Sequence, residues 1–91
     1  MSSPVRDNSA LSRFELAAEG ATALAYYRLA DGVLIFTHTE VPPQFRRRGI
    51  ASRLVQGALE AARARGLKVA PRCSFVASYL TRHPEFADIL A

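Results

Sequence analysis

The chain has one cysteine, one methionine and no tryptophan among its 91 residues. A single thiol, Cys73, excludes an internal disulfide. No apolar run approaches the ~20 residues that a membrane-spanning helix needs, which argues against a membrane partner. The opening MSSPVRDNSA has neither the apolar centre nor the flanks of a secretory signal, so a cytoplasmic protein is expected. No internal repeat is visible. Acidic residues are also few: eight Asp and Glu against twelve Lys and Arg give a formal net charge of +4. Such a field favours anionic partners, among them nucleic acid and phosphorylated cofactors.

What is present has globular composition, 49% hydrophobic and 22% charged. We read a loose polar tail over residues 1–10 and a single domain over 11–91. Three apolar runs follow the tail, RFELAA (13–18), ATALAYYRL (21–29) and VLIFTHTEV (33–41). Glu19-Gly20 and Asp31-Gly32 stand between them, and Asp-Gly is a strong hairpin signal because both residues tolerate positive φ. An antiparallel meander is expected. In its second strand Ala23, Ala25, Tyr27 and Leu29 share a face, and the small alanines there suit a closely packed helix. From Ile50 the period becomes helical, with Leu54, Val55, Ala58, Leu59 and Ala62 on one stripe and a C-cap at Gly66. LKVAPRC then reads as a short strand, SFVASYL as a short helix capped by Ser74, and HPEFADIL as a last turn beginning at Pro84. The order is βββ-α-β-α, an α/β domain whose last strand joins the third by a crossover.

The stretch PQFRRRGIASRLV (43–55) places Arg46, Arg47 and Arg48 just before a helix. Cations oppose the positive end of the helix dipole, so an anion is expected between them. Free amides of the first turn, a glycine without Cβ at Gly49 and three guanidinium groups suit a pyrophosphate. The loop lacks the Gly-Lys-Ser/Thr of a P-loop, and its single glycine excludes a dinucleotide-binding fingerprint.

Arg46-x-x-Gly49-x-Ala51, after a strand and opening a helix, resembles the Q/R-x-x-G-x-G/A acetyl-CoA signature of the GNAT superfamily of N-acetyltransferases. Residues 38–86 as a whole resemble the short single-domain GNAT-like proteins. The resemblance implies a minimal GNAT-like fold and an acetyl-CoA-dependent N-acetyltransferase. It implies that Val41 flanks the pantetheine and that Arg46, Arg47, Arg48, Gly49, Ile50, Ala51 and Ser52 surround the pyrophosphate. The general-acid tyrosine of many relatives would fall at Thr81, with Tyr79 two residues earlier as the candidate. The chain lacks the outer helices and strands with which larger relatives shape the acceptor site. An open groove is therefore expected, taking a small amine or an exposed lysine or N-terminus.

Two routes for the chemistry remain open. His38 and Glu40, two apart on a strand, share a face and can serve as base for direct transfer to an amine. Alternatively Cys73, activated by His38, carries the acetyl group as a thioester. A lone cysteine at a strand end is also commonly a small buried hydrophobe. Two other functions fit the same residues. One is a nucleic-acid-binding module, with Arg46, Arg47, Arg48, Arg53 and Arg72 on phosphates; the Ala-rich helix offers it no base-reading side chains. The other is a CoA-binding protein without turnover.

Overall fold

The structure, a computed structural model, describes residues 4–18, 20–45 and 49–91. Five strands form one sheet in sequence order: β1 (Arg6–Asn8), β2 (Arg13–Ala18), β3 (Ala21–Ala30), β4 (Val33–Glu40) and β5 (Lys68–Pro71). The first four are successively antiparallel, and β5 is parallel to β4. Helix α1 (Ile50–Ala64) connects β4 to β5, and α2 (Ser74–Arg82) follows β5. The expected order is present, with one strand added in front.

That added strand takes Arg6–Asn8 out of the loose tail read over residues 1–10, whose first three residues lie outside the described ones. Asp7 of β1 accepts a hydrogen bond from the Tyr27 hydroxyl at 2.6 Å and another from Arg65 at 3.1 Å. One carboxylate thus ties the edge strand to β3 and to the end of α1. Both partners are distant in sequence, so no local pattern announces the pairing.

Local chemistry sets the other boundaries. Asp31 and Gly32 adopt φ values of 51° and 76° and close the β3–β4 hairpin in two residues. At the end of α1 the Leu67 amide donates to Ala62 and the Gly66 amide to Arg63, the paired bonds of a glycine-terminated helix. Ser74 does not cap α2. Cys73 holds the N-cap position with extended backbone, and Ser74 is the first helical residue.

One face of the sheet is covered. Phe14, Leu16, Ala23, Ala25, Tyr27, Leu34, Phe36 and Val69 are buried beneath Leu54, Val55, Ala58, Leu59 and Ala62 of α1 and Val76 and Leu80 of α2. Ala23 and Ala25 lose all exposure, as their small size under a helix requires. Leu29, on the same parity, stays 51% exposed near the hairpin. The opposite face carries Arg13, Glu15, Leu24, Tyr26 and Ile35, all only partly buried.

The alternation slips once. Tyr26 pairs with His38 and Tyr27 with Phe36, leaving Thr37 as the extra residue of a bulge. Leu34 and Phe36 point into the core before it; Thr39 and Val41 turn inward after it.

Candidate functional site

Parallel β4 and β5 finish at the same edge of the sheet, and each is followed by a helix N-terminus. Their ladder closes at Phe36 and Pro71, with the Arg72 amide donating to the Phe36 carbonyl at 2.9 Å. Among the described residues β4 beyond it stays paired only with β3, while the other strand turns at Cys73 into α2. The two strands part there, and the gap between them is the cleft of the candidate site. The carboxyl ends of parallel strands are where such sheets receive ligands.

The N-terminus of α1 lies on the same edge. Gly49 is its N-cap, in the left-handed region with φ 69° and ψ 11°, and among the described residues no side chain caps the helix. The first intrahelical bond runs from Arg53 to the Gly49 carbonyl, so the amides of Ile50, Ala51 and Ser52 have no acceptor within the helix. A Cβ at Gly49 would meet no described residue within 4 Å, its chain neighbours aside. Three amides without an acceptor in the helix, at its N-terminus, fit an anionic group such as a pyrophosphate. Ile50 buries its side chain and Ala51 and Ser52 are half-buried, so what this turn presents is backbone. Val41 is half-buried against the core. The three arginines Arg46, Arg47 and Arg48 lie outside the described residues.

Cys73 is half-buried in the opposite wall. Its Sγ lies 3.5 Å from Thr39 Oγ1. Burial pushes the thiol up, but the Thr39 hydroxyl and the amides of Val76, Phe75 and Thr39 outweigh it, and the net shift is downward. A thiolate at a helix N-terminus is a competent nucleophile.

His38 is not the partner of this thiol. Adjacent strand residues point to opposite faces, and the bulge gives the inward direction to Thr39. His38 stands on the open face, its Nε2 3.5 Å from Glu40 and its ring stacked on Tyr26 at 6.1 Å. The Tyr26 hydroxyl accepts from Arg13, whose Nε donates to Glu15 at 2.7 Å. The expected His38–Glu40 pair is thus present, on the far side of the sheet from Cys73.

Tyr79 is buried away from the cleft. Its ring stacks on His83 at 3.9 Å and packs near Phe86. Six residues beyond Cys73, it sits about 9 Å further along the helix. Burial, and after it the charges of Glu85 and Glu60, push its phenol up. Thr81 spends its hydroxyl on the Ala77 carbonyl of its own helix.

Thr39 is the site residue that the sequence reading passed over. Its signal was available: apolar Leu34 and Phe36 are even-numbered and Val41 is odd, so the phase must slip between 36 and 41.

A profile of the GCN5-related N-acetyl-transferase family matches residues 13–89. The chain belongs to this family. The solution structure of a GCN5-like protein from Staphylococcus aureus is similar to it with a TM-score of 0.75 and 24% identity, covering 100% of this chain and 91% of that one. The GNAT fold is thereby shown. No curated protein matches the chain. Family and fold together make acyl transfer the chemistry that the GNAT cleft supports. Among the described residues no helix is long and apolar enough to cross a membrane.

Proposed function

We propose that the chain is an acetyl-CoA-dependent N-acetyltransferase in which Cys73 carries the acetyl group to an amine. The observation that supports this most is the setting of the thiol. Cys73 lies in the cleft at the edge where α1 begins, beside a hydroxyl and backbone amides that favour its thiolate. Around Gly49 the amides of Ile50, Ala51 and Ser52 hold the pyrophosphate, with the charge of Arg46, Arg47 and Arg48 added. Val41 and the free edge of β4 flank the pantetheine. When bound, acetyl-CoA supplies the activated acetyl group.

Cys73 gives up its proton, and Sγ forms a bond to the acetyl carbon as the bond from that carbon to the CoA sulfur breaks. The departing sulfur takes up one proton, so the step is neutral overall. An amine then attacks the acetyl-cysteine: a C–N bond forms, the C–Sγ bond breaks, and Sγ recovers a proton from the amine. Amines arrive as ammonium ions. The amine therefore reacts as the free base, its extra proton left in water, because His38 and Glu40 engage each other on the opposite face of the sheet. The acceptor is a small amine or an exposed lysine or N-terminus.

The test is mass spectrometry of the protein incubated with acetyl-CoA, followed by addition of an amine. The reading requires an acetyl group on Cys73 that disappears as acetylated amine accumulates. Product formed at an undiminished rate by Cys73→Ala would transfer the chemistry to direct attack. Bound CoA with neither adduct nor product would leave a binding protein.

A further inference from the structure

We infer that Thr39, not a histidine, is the positioning residue that activates Cys73: its hydroxyl donates to the sulfur across the cleft and holds it at the end of β5. The inference rests on the acyl-carrier reading above.

Three features carry it. The Thr37 bulge turns Thr39 inward, and Oγ1 comes to 3.5 Å from Sγ, within hydrogen-bonding range for sulfur. Threonine is β-branched, so its χ1 is restricted and the hydroxyl is preset rather than recruited. Both residues are half-buried, which limits competition from water. A hydroxyl that donates to sulfur stabilises the thiolate, and hydrogen bonds to charged groups are the stronger kind. Of the groups favouring the thiolate, the Thr39 hydroxyl contributes most, against the opposing effect of burial.

The charged groups nearby leave this role open. His38 and Glu40 of β4 engage each other on the other face. Exposed Arg72 precedes Cys73 in the chain, and the first turn of α2 has no acidic residue. Arg82 stands in the last turn of that helix.

Thr39→Val keeps the shape and the strand preference but removes the donor; Thr39→Ser keeps the donor. Iodoacetamide alkylation of Cys73 is followed against pH in both and in the parent, with thermal melting as a check on folding. Thr39→Val should slow alkylation at neutral pH roughly tenfold, the scale of a hydrogen bond to a charged group. Its profile should move to higher pH and reach the same limiting rate. Thr39→Ser should retain most of the reactivity. A structural role alone would lower the melting temperature without moving the profile, and an unmoved profile in Thr39→Val overturns the inference. Acetylation of Cys73 by acetyl-CoA is read in parallel. If the parent takes up acetyl and Thr39→Val matches it in both assays, only Thr39 is dismissed. If the parent takes up none while the profile still moves, the carrier reading falls and the action of Thr39 on the thiol stands.

Discussion

His38 and Cys73 flank one short stretch of β4 from opposite faces of the sheet. The bulge at Thr37 gives the inward position to Thr39, which meets the thiol, and leaves His38 outside with Glu40 and Tyr26. The two groups therefore do not act on each other. His38→Ala should leave alkylation of Cys73 and formation of its acetyl adduct unchanged, because the imidazole does not touch the sulfur. Discharge of that adduct to an amine should be equally unaffected, since a base on the far face of the sheet is out of reach of an amine attacking the Cys73 thioester. Single-turnover measurement of both steps checks this, and a loss in either would return His38 to the chemistry.

Gly49 makes a second prediction. Its φ of 69° is costly for residues with a side chain, yet a Cβ there meets no described residue within 4 Å beyond its chain neighbours. Gly49→Ala should cost about 1 kcal/mol of stability from the left-handed backbone. Asparagine tolerates that conformation, so Gly49→Asn should melt near the parent while losing CoA affinity in calorimetry, because its side chain occupies the space over the α1 amides. Undiminished affinity in Gly49→Asn would move the phosphate site elsewhere. Saturating CoA should also release any oligonucleotide held by this end of the molecule.

The strands from Arg13 onward and the long helix were legible because their signals are local. Asp31-Gly32 fixes a hairpin, Gly66 ends a helix, and the apolar period changes where α1 begins. Gly49 was legible as the residue before α1 for the same reason, since it stands where the apolar period changes. What escaped depends on distance. β1 is fastened where Asp7 meets Tyr27 and Arg65, 20 and 58 residues away. The pairing of Cys73 with Thr39 spans 34 residues and depends on one unpaired threonine in a bulge. Alternation read without that slip kept His38 and Glu40 together but could not say which residue would face the thiol.

Asp7 should therefore matter more than an edge residue usually does. Asp7→Ala removes the two side-chain bonds that tie β1 to β3 and to the end of α1, leaving its ladder to β2, and should cost about 2 kcal/mol, within the range for hydrogen bonds to a charged group. Amide exchange should accelerate in residues 6–8 and in their β2 partners while α1 keeps its protection. Uniform loss of protection across the sheet would mean that β1 is integral to the core.

Tyr27 gives the last prediction. Burial, and after it the hydrogen bond to Asp7 and that carboxylate's charge, push its phenol up to about 12, with Arg65 pulling the other way. An unfolded tyrosine titrates near 10. Below that pH both states hold the proton, and the contribution is fully present. Between about 10 and 12 the unfolded chain loses its proton while the folded one keeps it, so stability falls as pH rises, by about 3 kcal/mol for this group. Tyr27→Phe cannot ionise at this position. At neutral pH it should be less stable than the parent, because the bond to Asp7 is gone. Across the alkaline window the parent should decline more steeply, and the gap between the two should close. Urea midpoints of both proteins from pH 8 to 12 decide it: curves that stay parallel throughout would show that the Tyr27 hydroxyl titrates as it does in water, and that its contact with Asp7 is not held in the folded state.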